Sequence, residues 1–174
     1  AIYRRFHAHS SADIAPSTFG AYAGQVVVAS ESANAIFAIS NTGVVTQIPL
    51  VDGLGNSISI PLAEQLSFVP LNLGVSGNSI EGYYATNYPI NVYKADATQF
   101  VGMLGDAIVS AEFGSNSPIW DVHFDGTSFV ATQIGNLPNQ AEDGLFVTAD
   151  ILNPGCSETN TCGNTVPEPG SLAL

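Results

Sequence analysis

The feature that most restricts this chain is the shortness of its apolar runs. Gln25–Ala29 reads Gln-Val-Val-Val-Ala, and Ala35–Ile39 reads Ala-Ile-Phe-Ala-Ile. Val44–Ile48 follows after an Asn41-Thr42-Gly43 turn. β-Branched and aromatic residues fill these runs, and Gly, Asn, Ser and Pro end them, which is strand chemistry. Helical spacing is poor throughout. The best helix candidate, Asp96–Leu104, carries Gly102 and abuts Gly105. The chain therefore reads as all-β. No apolar run approaches the ~18 residues that a membrane-spanning helix needs.

A faint repeat organises the strands. Gly24–Glu31 aligns with Gly105–Glu112: a Gly, an apolar run, a small residue, an acid. Asn34–Gly43 with Val44–Ile48 aligns in the same way with Ser117–Gly126 and Thr127–Ile134. Gly82–Asn87 and Gly144–Asp150 are shorter versions, and Ala63–Pro70 is placed as an innermost strand ahead of the second copy. Units of about 40 residues with three or four antiparallel strands are the mark of propeller blades. Their wording resembles the NHL and SMP-30/gluconolactonase propellers. The resemblance implies a partial β-propeller-like array of antiparallel blades over residues 1–152, a fragment of a larger propeller. A β-sandwich of the jelly-roll kind is the alternative. An open blade edge would invite self-association.

Residues 153–174 read as a polar linker rich in Gly and Pro. The linker ends in Val166-Pro167-Glu168-Pro169-Gly170, then Ser171-Leu172-Ala173-Leu174. This resembles the opening of a PEP-CTERM sorting signal, with Pro167, Glu168 and Pro169 as the motif. The resemblance implies export in a Gram-negative bacterium, handling by an exosortase, and a destination at the cell surface or in an exopolysaccharide matrix. Cys156 and Cys162 agree with export, because two cysteines in an oxidising compartment most simply form a small disulfide loop. A metal site on the pair is the competing reading, though no His lies nearby.

Charge narrows the partners. Fifteen acids stand against three bases, for a net charge of −12. Nucleic acid and anionic membrane surfaces are excluded as partners, since both require cations on the protein. Metal cations are favoured. Glu31, Asn87, Glu112 and Asp150 fall at equivalent places in the repeat copies, and convergence of their oxygens would suit Ca²⁺. Glu142 and Asp143 are further metal candidates, with Glu64 and Glu81 as alternatives. Tyr83, Tyr84 and Tyr88, close to Asn87 and Asn91, offer stacking and hydrogen bonding to sugars. Asp121, His123 and Asp125 alternate onto one strand face, either solvated or as a ligand cluster. His7 and His9 alternate in the same way near Arg4 and Arg5.

No nucleophile elbow, phosphate loop or dinucleotide fingerprint occurs, and no catalytic residue is assigned. Two function classes remain. One is a non-enzymatic surface or matrix module that binds polysaccharide or another protein. The other is a Ca²⁺-dependent lactonase-type hydrolase, as the SMP-30 resemblance implies.

Overall fold

The computed structural model describes residues 11–152. His7 and His9, the Cys156–Cys162 segment and the Pro167-Glu168-Pro169 motif lie outside the described residues. The described chain is all-β, in three sheets.

The first sheet is a meander. β1 (Ala12–Ile14), β2 (Val26–Ser30), β3 (Ala35–Ile39) and β4 (Val45–Gln47) pair antiparallel in chain order. The second sheet has six strands, in the order β6 (Ser57–Ile58), β5 (Leu50–Val51), β12 (Phe129–Leu137), β11 (Ser117–Phe124), β10 (Ala107–Ala111), β7 (Ala63–Phe68). Within it, β7, β10, β11 and β12 form a second antiparallel unit, while β5 joins β12 in parallel. The third sheet is β13 (Gln140–Val147), β8 (Gly82–Tyr88) and β9 (Asn91–Asp96). A short helix, α1 (Ala149–Leu152), follows β13.

Two cores flank the second sheet. Val27, Ala29, Ile36 and Ala38 of the first sheet pack with Leu66, Val109, Val122 and Phe129 of the second. On the other face Ile108 and Leu137 pack with Tyr83, Ala85, Phe146 and Phe100. β10 reads Ala-Ile-Val-Ser-Ala because it is buried on both faces. A strand covered on both sides loses the polar alternation of a half-exposed one. Sheet on sheet, these layers bury the side chains that each strand presents to its neighbour.

The repeat reappears in backbone geometry. Gly24 and Gly105, before β2 and β10, both have positive φ, as do Gly43 and Gly126 in the turns after β3 and β11. Asn34 and Asn116, just before β3 and β11, are both left-handed, at φ 52° and 57°. Ala63–Phe68 pairs with β10 as the strand ahead of the second copy.

One expectation changes. Gly82–Asn87 and Gly144–Asp150 do not open separate units. Their strands pair with one another, Val147 opposite Gly82. In keeping with the poor helical spacing, Asp96–Leu104 holds only a 3-10 turn at Ala97–Phe100, after β9 has run to Asp96. Gly102 and Gly105 deny it the next turns.

Candidate metal centre

Three carboxylates meet where strands of the first two sheets end. Glu31 opens the 3-10 turn after β2, and Glu112 follows β10 directly. Glu64 sits near the start of β7. Carboxylate oxygens of Glu31, Glu64 and Glu112 lie within 4.8 Å of one another.

A bulge aims Glu64. Ser110 faces Gln65, but Ala111 faces Ala63, so Glu64 is the extra residue of β7. Bulges re-aim side chains in this way at sheet ends and beside functional sites. Two further bonds fix the corner. Leu62 N–H donates to Asn34 Oδ1 at 2.8 Å, and Glu112 N–H donates to Leu62 O at 2.9 Å. Leu62 holds φ 54°, a left-handed conformation that a branched residue adopts only when its surroundings impose it.

Glu64 is only 3% exposed. No N–H or hydroxyl donor among the described residues reaches its carboxyl; its hydrogen-bonding neighbour is the Glu112 carboxyl. Burial, followed by the Glu112 and Glu31 charges, pushes Glu64 up to about 7. Three carboxylates this close cannot all ionise cheaply without a counter-charge. Gln140 Nε2 donates to Glu112 Oε1 and, at 2.7 Å, to Glu142 Oε1, which brings Glu142 to the rim. The donor set is all oxygen, which fits a hard cation such as Ca²⁺.

The other candidate residues are placed elsewhere. Asn87 is buried, with its amide donating to Asn91 Oδ1 and accepting from Asn139 N–H, both at 2.8 Å. Asp150, exposed on α1, accepts from Asn72 Nδ2. Asp143 is exposed and accepts from the Gly144 N–H. Glu81 is buried and accepts from Ser76 Oγ and Ala149 N–H. Of the acids singled out in the sequence, then, Glu31, Glu64, Glu112 and Glu142 come together.

The tyrosines divide. Tyr83 is 3% exposed; its ring packs on Phe146 and Phe100, and its hydroxyl donates to Gln65 Oε1 at 2.6 Å. What little of it is accessible borders a cleft of about 500 Å³ shared with Tyr93 and Phe100. Tyr84 is half-buried and donates to Ile80 O. Tyr88 is 55% exposed and, with Thr86, Ile90 and Asn91, lines a cleft of about 600 Å³ whose far wall is Glu112 and Glu142. Glu64 was the least visible member of the centre, because nothing in the sequence marks a bulge. No family model, curated protein or solved structure matches the chain.

Proposed function

We propose that this chain is an exported, non-enzymatic binding module of a cell surface or exopolysaccharide matrix, and that Glu31, Glu64 and Glu112 hold a Ca²⁺-type cation. The single observation behind the cation is the buried Glu64 carboxyl, aimed at two more carboxylates with no protein donor among the described residues. A cation with six to eight oxygen positions would leave several for water or sugar hydroxyls. The cleft beside it supplies Tyr88 as a stacking wall and Asn91 as a hydrogen-bonding group, a combination that suits polysaccharide. Export and handling by an exosortase rest on the Pro167-Glu168-Pro169 resemblance. The propeller-like reading of the array rests on the two matched four-stranded units.

The test is a thermal melt of the full chain in millimolar Ca²⁺ and in excess EDTA. A ligand that binds only the native state contributes RT ln(1 + [L]/Kd), about 2.7 kcal/mol at a hundredfold excess over Kd. A clear rise in Tm with Ca²⁺ supports the centre, and Ca²⁺-dependent retention on an exopolysaccharide column supports the matrix role. A melt indifferent to both additives removes the cation from the proposal.

One observation favours the lactonase-type alternative. A carboxyl held near 7 is of the kind used for proton transfer at neutral pH. Lactone turnover that is abolished both by EDTA and by Glu64→Gln would move the proposal to that reading.

A further inference from the structure

We infer that the open edge of β9 docks an extended segment of a partner protein, apolar at alternate positions and net basic, by adding it to the third sheet as a further strand. β9 is the end strand of that sheet. The other long end strands are covered. Along β7, the Ser11 and Asp13 side chains bond the backbone of Leu66 and Phe68 at 2.7 to 3.0 Å. On β13, Gly144 O accepts from Gln65 and Ser67 of β7. The end strands β1, β4 and β6 have only two or three residues. β9 has six, of which all but Ala95 are exposed. Ala97 N–H donates to Glu81 O, one pair beyond Gly82 and Asp96. Hydrogen-bonded pairs alternate along an antiparallel ladder, so Val92, Lys94 and Asp96 turn their N–H and C=O groups away from β8. No strand among the described residues receives them.

The space beside this edge takes side chains. Tyr93 faces Ala85 and Ala95 faces Tyr83, so both point the way that core does, toward the second sheet. Tyr93 is nonetheless 43% exposed, because no strand lies beyond β9 to cover it. It borders the cleft of about 500 Å³, whose apolar lining includes Phe100, Met103, Ile119 and Leu137. Ile134 lines it too, 39% exposed. Trp120 faces Gln133 and Ile119 faces Gly135, so Ile134 is the extra residue of a bulge, a device that re-aims a side chain. A strand laid about 4.8 Å beyond β9 puts every second side chain over this cleft. Main-chain bonds to β9 then supply affinity, and the cleft selects apolar residues at alternate positions.

Charge chooses the partner. Lys94 is the only Lys or Arg among the described residues, and its ammonium is held by Asp96 Oδ1 and Ser79 O. Both ends of the edge are acidic. Asp96 is exposed at one, and at the other Ile90 and Asn91 share a cleft with Glu142. A second copy of the chain would bring a further net charge of −12 to the contact and be repelled. A basic segment is attracted.

The experiment is a fluorescence-anisotropy titration of the full chain with a short labelled peptide of alternating Val and Lys. It binds saturably. The same peptide, N-methylated at the alternate amides that would face β9, keeps its charge and binds roughly tenfold or more weakly. Val92→Pro, which removes an outward N–H at an edge where proline is tolerated, weakens the unmethylated peptide by a similar factor. That variant keeps the full Ca²⁺-induced rise in Tm, because the glutamate centre takes no part in this edge. Equal affinity for the two peptides means charge adhesion alone and overturns the proposal, as does a folded Val92→Pro chain that binds with wild-type affinity. The methylated peptide decides the matter even if the variant fails to fold. A dimer of the chain by sedimentation that Val92→Pro dissolves would give the edge to a second copy and also overturn it.

Discussion

At the scale of single residues, Glu64 contributes to the pH dependence of stability. Its carboxyl titrates near 4.5 in an unfolded chain and near about 7 in the fold. The folded state therefore holds the proton more tightly. This contribution is full below about pH 4.5 and is lost as pH rises through about 7. In EDTA, Tm should fall across that window, and Glu64→Gln should flatten the fall; equal slopes for the two chains would show that Glu64 is not protonated in the fold. Asp106 and Asp121 have the same sign and are present in both chains, so the comparison isolates Glu64. Tyr83→Phe tests a different buried group. It keeps the ring against Phe146 but leaves Gln65 Oε1 only the Ser110 hydroxyl, at 3.4 Å. A buried acceptor stripped of its partner costs about 1–3 kcal/mol, readable in a urea melt. Residue by residue, the site was partly legible. Glu31 and Glu112 stand at matched places in the repeat, and that match carries over into space. Asn87 and Asp150 matched in wording alone, because their strands belong to a sheet built by a different pairing.

At the scale of elements, strands were easier to read than sheets. Val26–Ser30, Ala35–Ile39 and Ala107–Ala111 announce themselves by β-branched runs between turn residues. Pairing depends on contacts far apart in the chain, and no local signal carries them. Nothing in Leu50-Val51 foretells a parallel partner in β12, and β8–β9 leaves the second sheet between β7 and β10 without a compositional break. One residue does constrain the excursion. A Cβ on Gly82 would lie 2.3 Å from the Ala95 carbonyl oxygen of the paired strand, and its φ is +153°. A backbone atom cannot swing aside as a flexible side chain can. Gly82→Ala should cost about 1–3 kcal/mol, the range for forced overpacking. Amide exchange should speed up in β8 and β9 before it does in β2 and β3. Unchanged protection in β8 would mean that the strand pair is looser than its register implies.

At the scale of the whole molecule, β10 decides whether the sheets melt together. Ala107, Val109 and Ala111 serve the core against the first sheet, and Ile108 serves the core against the third. β7 is tied across as well: the buried Gln65 side chain donates to Gly144 O at 2.8 Å, and Ser67 Oγ donates to the same oxygen at 3.2 Å. A carboxylate centre built from β2, β7 and β10 thus depends on both interfaces, because each holds one face of the same two strands. This coupling predicts cooperative unfolding. Val109→Ala and Ile108→Ala remove side chains from opposite faces of β10, and both are fully buried. Truncations of this kind cost about 2–5 kcal/mol for Ile→Ala, somewhat less for the smaller valine. Each should lower the midpoint of one and the same transition, followed at once by far-ultraviolet circular dichroism and by Trp120 fluorescence. Each should also weaken the Ca²⁺-induced rise in Tm only through the loss of folded protein, since neither is one of the three glutamates of the centre. If Ile108→Ala instead split the melt into two steps, the third sheet would be an independent unit. The glutamate centre would then rest on the first two sheets alone, and it would keep its Ca²⁺ response after the third had unfolded.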